Sequence, residues 1–306
     1  MKYNSLAFIK QLLPPLMLEQ GKKVLNQKME QQYLDQGEIP WSKGYSLHKR
    51  ALISQVLSNG EILECFLNKS SLPQHYGYSL DERCVEYPWL LTRMLPLSGN
   101  FLDAGSVLNF DFILEQLDFT QHKLHILTLA PEFNCFWQKG ISYLYADLRQ
   151  VPIQDNFYDA IACLSTLEHV GMDNSGFTAD TRYHQNSPDD FTAAVQELRR
   201  VLKPGGSLFV SVPYGAYRNY GSFHQFDADL LGHMIDAFGP AAMVDQSFYR
   251  YTAQGWQVAS QEACANDAYV EWVAIAWKEG FPSPLPIEPD HAAAARAVAC
   301  IHLIKS

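Results

Sequence analysis

Asp147-Leu148-Arg149-Gln150-Val151-Pro152 is followed by Phe157-Tyr158-Asp159-Ala160-Ile161-Ala162-Cys163-Leu164 and then by Ser165-Thr166-Leu167-Glu168-His169-Val170. The middle run is short, apolar and bounded by polar turns, the signature of a strand buried on both faces. Similar runs lie on either side. Phe101-Leu102-Asp103, Leu124 to Leu129 and Tyr143-Leu144-Tyr145 precede it, and Ser207 to Val212 follows. Compact runs separated by helical patterns predict an α/β fold, with a mostly parallel sheet covered by helices on both faces. In such sheets ligands bind at the carboxyl ends of the strands, near the switch in strand order.

The helix before the Ser207 run is readable in detail. Ser187 suits a cap, Pro188 the first helical position, and Asp190 the acid of a capping box. Phe191, Val195, Leu198 and Leu202 fall on one face. Pro204-Gly205-Gly206 turns the chain into the next strand. Further on, a helix is expected near Phe226 to Phe238. Met243 to Tyr251 and Ala297 to Ile304 are expected as an antiparallel hairpin at the sheet edge. The segment between them holds Pro282, Pro284, Pro286 and Pro289 and reads as loop.

Residues 1–97 lack strand alternation and read as a helical cap. Leu6, Ile9, Leu12 and Leu13 recur at helical spacing up to Pro14-Pro15. Leu52, Val56, Ile62 and Phe66 form a second pattern, and Leu80 to Met94 a third with Pro88 inside it. This region is a candidate substrate-side wall and equally a candidate interface for a homo-oligomer.

The formal net charge of -10 disfavours a nucleic-acid partner, and no Lys/Arg track offsets it. Six cysteines without a C-x-x-C pair read as buried reduced thiols. No stretch has the length of a membrane span and no leader is evident, so a cytoplasmic protein is expected.

From about Phe101 to Pro213, the quoted segments and Glu197-Leu198-Arg199-Arg200-Val201-Leu202-Lys203-Pro204-Gly205-Gly206 resemble, in order and spacing, the class I S-adenosylmethionine-dependent methyltransferases. The resemblance is to their small-molecule branch and its Rossmann-like sheet, here residues 98–306. Glu82-Arg83 with Glu86-Tyr87-Pro88-Trp89 resembles an uncharacterised branch of the same superfamily. S-adenosylmethionine is the implied cofactor, and a small metabolite or sugar, methylated at oxygen, the implied acceptor. Asp103, Gly105 and Ser106 would form the first cofactor turn, and Thr128 and Leu129 the ribose side. Asp147 and Leu148 would meet the adenine, and Ser165 and Thr166 the methionine end.

Two features depart from the family. Val107 and Asn109 stand where further glycines are common, and Thr128 where an acid usually meets the ribose, with Glu132 as a substitute from the next turn. These departures motivate a second reading, a non-catalytic methyltransferase-like binding or scaffold protein.

His169 is the catalytic candidate. It lies just past the fourth strand, and a near-neutral imidazole can take a proton from an alcohol. Its plainer reading is a histidine packed on the next helix. Tyr183, His184 and His224 lie in loops that could cover the site. His169, Asp173, His184 and Asp189 match no compact ligand spacing, and no metal is expected. Asp159, at the start of a buried strand, reads as structural.

Overall fold

A computed structural model describes residues 15–306. The helical spacing at Leu6, Ile9, Leu12 and Leu13 lies outside the described residues. One sheet carries eight strands. They are β1 (Gly99–Ala104), β2 (His122–Thr128), β3 (Ser142–Tyr145), β4 (Tyr158–Leu164), β5 (Leu202–Pro213), β8 (Ala241–Thr252), β9 (Gly255–Ala259) and β10 (Ala297–Lys305). The two short strands β6 (Arg218–Asn219) and β7 (His224–Gln225) pair apart from it.

The order is β3-β2-β1-β4-β5-β10-β8-β9. The first five strands are parallel, as the apolar runs predict. The order reverses between β1 and β4, which puts the switch point beside the loops after those strands. The expected pairing of Met243 to Tyr251 with Ala297 to Ile304 is present and antiparallel. β10 nevertheless lies inside the sheet, between β5 and β8, and the edge strand is β9. The two partners are separated by a long excursion that returns to the cavity wall, so they are neighbours without being a hairpin.

Alternation along the strands explains the two cores. On β1, Phe101 packs to one side and Leu102 to the other; on β4, Ala160 and Ala162 oppose Ile161 and Cys163. This period of two, with apolar residues on both faces, is what a sheet covered on both sides needs. The helices Phe191–Val201 and Ala228–Phe238 cover one face. The helices Tyr45–Leu57, Gly60–Asn68 and Arg83–Met94 cover the other, with the segment that holds Val270, Val273 and Ala292.

Local chemistry places several boundaries. Helix Phe191–Val201 begins after the turn at Pro188–Asp190, because the Asp190 carboxylate pairs with Arg149 (2.5 Å) and does not cap. Leu202 already belongs to β5. Helix Arg83–Met94 is buried almost all round and contains Pro88. Proline cannot donate to the carbonyl four residues back. That carbonyl, of Cys84, accepts instead from the Tyr76 hydroxyl at 2.6 Å. Asp159 accepts from the Asn100 backbone N–H (2.8 Å) and from Lys203 (2.7 Å), pinning β1 and β5 to β4. Cys84, Cys163, Cys264 and Cys300 are buried free thiols as expected, whereas Cys135 is exposed.

His224 on β7 is fully buried, and neither ring nitrogen has a partner among the described residues. Burial pushes its pKa down from 6.5 to about 4, and the neighbouring His169 adds to the shift. The folded state therefore holds the ring neutral, and below pH 6.5 the unfolded chain binds more protons. This contribution to stability is full above 6.5 and is lost as pH falls toward 4, by about 3 kcal/mol. Thermal melting from pH 8 to 4 should show a shallower acid descent in His224→Phe than in the parent chain. Superimposable pH profiles would assign the descent to other groups.

Candidate active site

The loop after β1 is closed by its own side chains. Asp103 is fully buried beneath it and accepts from the backbone N–H groups of Val107 (3.1 Å) and Leu108 (2.8 Å). Burial outweighs those two bonds and raises its pKa to about 7. Gly105 has φ +116°, and a Cβ there would lie 2.6 Å from Thr166 Cγ2. The glycine thus admits the Thr166 side chain from the β4 loop. Ser106 takes the left-handed conformation (φ 63°) and donates to Glu132 at 2.8 Å. Asn109, by contrast, is buried and works through its amide. It donates to Glu132 (3.0 Å) and to the Asn134 carbonyl (3.1 Å), and accepts from Tyr143 (2.9 Å).

Thr128 ends β2, and Asp147 lies in the loop just past the adjacent β3. The Asp147 carboxylate receives Arg149 through Nε (3.0 Å) and an NH2 group (2.6 Å), and the Arg149 backbone N–H (2.8 Å). These bonds overcome partial burial and hold its pKa below the ordinary carboxylate range. It is therefore ionised at neutral pH, with lone pairs left for a further donor.

Past β4, Ser165 has φ 39°, and its hydroxyl donates to Glu86 at 2.6 Å. The backbone then winds through Leu167–His169. His169 Nδ1 lies 2.8 Å from the Ser222 carbonyl. A carbonyl can only accept, so Nδ1 carries the proton and Nε2 keeps its lone pair. Desolvation lowers the pKa of this ring, partly offset by the Ser222 bond. Glu168 is buried, its Oε2 has no partner among the described residues, and desolvation raises its pKa well above normal.

These loops surround a cavity of about 1080 Å³ at the carboxyl ends of the parallel strands. That is at the upper end of the range for small-molecule sites, which gives room for a cofactor and an acceptor together. Gly105, Thr128, Leu129, Asp147, Leu148, Ser165, Thr166 and His169 all line it. Asp103 and Ser106 do not: the first holds the loop from below and the second is bonded to Glu132. Tyr183 also lines the cavity; His224 is buried behind it, and His184 pairs with Asp173 at 3.0 Å.

The opposite wall comes from the helices before β1 and the excursion before β10. It includes Trp41, Lys49, Asp81, Glu82, Arg83, Tyr269 and Trp277. Motif reading along the strands misses these residues. Their one signal in the sequence is charge placed in an otherwise apolar helix, at Glu82, Arg83 and Glu86.

A family model described as a methyltransferase domain matches residues 94–210. That segment is thus similar to a methyltransferase domain, and it spans β1 to most of β5. No curated protein sequence matches the chain. Among solved structures, the cyclase SpnF is similar at 17% identity, covering 82% of this chain and 95% of that one, with a TM-score of 0.44. The 1,6-didemethyltoxoflavin-N1-methyltransferase of Burkholderia thailandensis, with bound 1,6-didemethyltoxoflavin and S-adenosylhomocysteine, is similar at 14% identity, covering 96% and 92%, with a TM-score of 0.40. The N-methyltransferase NodS of Bradyrhizobium japonicum, with S-adenosylhomocysteine, is similar at 11% identity, covering 83% and 97%, with a TM-score of 0.39. Likeness at this level assigns no substrate. No helix among the described residues is long and apolar enough to cross a membrane.

At Gly105 the turn after β1 packs directly on Thr166 of the loop after β4. Gly105→Ala should cost about 1–3 kcal/mol, because it strains a positive φ and collides with Thr166. Adding Thr166→Ala should return the part due to the collision. Urea denaturation of both variants checks this, and equal stability of single and double variants would refute the contact.

Proposed function

We propose that this S-adenosylmethionine-dependent methyltransferase methylates an oxygen of a small metabolite or sugar, with His169 as the general base. The observation that carries the reading is the tautomer of His169. Its proton is held on Nδ1 by Ser222, and its free Nε2 belongs to a ring lining the cavity past β4.

The residues present fit the cofactor. Asp147 is an ionised acceptor suited to an adenine amino group, and the Thr128 hydroxyl suits a ribose hydroxyl, both on the cavity wall. When bound, S-adenosylmethionine supplies an electrophilic methyl group on its sulfonium. Ser165 and Thr166 would flank the methionine end, and Leu129 and Leu148 the adenosine. Trp41, Phe223 and Trp277 keep much of the remaining wall apolar, which excludes water from the transfer. His169 would accept the acceptor's hydroxyl proton at Nε2 as the new oxygen–carbon bond forms.

Isothermal calorimetry with S-adenosylmethionine and S-adenosylhomocysteine should show saturable binding. Asp147→Ala should weaken it by about 1–3 kcal/mol. No heat at millimolar ligand would instead favour a non-catalytic scaffold.

With an acceptor found by screening hydroxylated metabolites and radiolabelled cofactor, His169→Ala should lower turnover by about 10²–10⁴-fold and spare cofactor affinity. The pKa of His169 lies below 6.5 in the free protein, and only its neutral form accepts a proton. The rate should therefore rise with pH across that lowered pKa and be level by neutrality. A variant with full turnover and the parent's pH profile would remove His169 from the chemistry.

A further inference from the structure

The acidic residues lining the cavity outnumber its lysines and arginines. Lys49 pairs with Asp81 (2.5 Å), Arg83 with Glu86 (2.5 Å), Arg149 with Asp147 (2.6 Å) and Lys278 with Asp173 (3.2 Å). Every lysine and arginine lining the cavity is thus taken. Glu82 and Glu168 also line it, and neither has a cationic partner among the described residues. Glu82 accepts from the Ala295 backbone N–H at 3.3 Å. Glu168 Oε2 accepts from nothing, although the residue is 97% buried from solvent (3% relative exposure).

A buried carboxyl without a partner is costly unless a ligand completes it. The aromatic residues nearby suit a cation. Lys49 already lies over the rings of Trp41 (5.5 Å) and Tyr45 (5.2 Å), so this wall accepts positive charge on its faces. Tyr269 and Trp277 present further aromatic surface to the same cavity. Glu82, Glu168 and Tyr269 all line this one cavity.

From this arrangement we infer that the acceptor is an amine-bearing small metabolite, such as an amino sugar or amino alcohol. Its ammonium group is held by Glu82 and Glu168 beneath Tyr269. The inference deepens the methyltransferase reading and rests on it: the hydroxyl of the same molecule would face His169. Binding would also release protons. Burial keeps Glu168 and Glu82 largely protonated in the free protein, and an ammonium favours their charged forms. The charged and titratable groups around them are Asp81, Arg83 and Glu86 of the cap, with Lys49 behind Asp81. Tyr269 lies on the opposite segment and His169 next in the chain.

The test uses the full chain saturated with S-adenosylhomocysteine, whose own amino group then fills its place. Phenethylammonium is titrated against 2-phenylethanol, and glucosamine against glucose, by calorimetry and ligand-observed NMR in buffers of different ionisation enthalpy. Each amine should bind at least tenfold tighter than its neutral counterpart at about pH 6, where both are ammonium ions. Phenethylammonium, which stays charged at pH 8, should also release protons and bind more tightly at pH 8 than at pH 6. Glu168→Gln, and separately Glu82→Gln, should remove most of that preference while S-adenosylhomocysteine affinity stays unchanged.

Equal binding of amine and alcohol would overturn the inference. So would an unaltered preference in both variants, or a loss of S-adenosylhomocysteine affinity in place of amine affinity. If S-adenosylhomocysteine itself fails to bind, the methyltransferase reading falls. The same titrations on the unloaded chain then still decide whether the acids hold an ammonium.

Discussion

A carboxylate with no access to water holds the cap to the sheet. Glu86 sits on the helix Arg83–Met94, and one oxygen accepts from Ser165 past β4 and Ser211 on β5, each at 2.6 Å; the other accepts from Arg83. Breaking such a set leaves a buried charge unpaired, a cost of several kcal/mol. The geometry of the site follows from this joint. It fixes Ser165 at a positive φ, and the next residues, Thr166 to His169, leave the strand in a set direction. It also fixes the start of the cap helix, so that Glu82 and Arg83 face the same cavity as His169. Tyr76 completes the helix at the carbonyl that Pro88 leaves free, which lets a rigid apolar helix carry that charged first turn.

The sheet was legible because its strands are short, apolar and spaced by helices. From the parallel order, the position of the cavity follows directly. That Thr128, Asp147, Ser165 and His169 would line the cavity was legible for the same reason: they stand at or just past strand ends, and strand ends converge. Asp103 and Ser106 were misplaced because sequence position gives the loop and not the direction of a side chain within it. Asp103 points back into the turn, where two N–H groups wait for an acceptor. The cap was legible as a candidate wall, but which aromatic residues face the cavity was not, for a different reason. Trp41, Tyr269 and Trp277 are far apart in the chain, and only the tertiary fold makes them neighbours. The interior place of β10 was hidden likewise, since pairing order among non-adjacent strands depends on the whole sheet.

The missing glycines look like damage when the loop is read as a string, and like reinforcement when it is seen folded. Asn109 spends its amide on the loops after β2 and β3, which a glycine could not bridge. Val107 closes the loop over Asp103 with its N–H and accepts from the Tyr87 hydroxyl at 2.6 Å with its carbonyl. The backbone donors of Val107 and Leu108 are therefore consumed inside the protein. On the function proposed above, a ligand over this turn would be held by other means: the Thr128 hydroxyl, the Asp147 carboxylate and the apolar faces of Leu129 and Leu148. Recognition that rests on side chains from three strand ends depends on those strands keeping their register. The register is set below the site by Asp159, which ties β1, β4 and β5 together at the opposite end of the sheet. A loop tied down by its own hydrogen bonds and a sheet pinned at both ends are two expressions of one arrangement, a cavity whose walls are held in place by the fold itself.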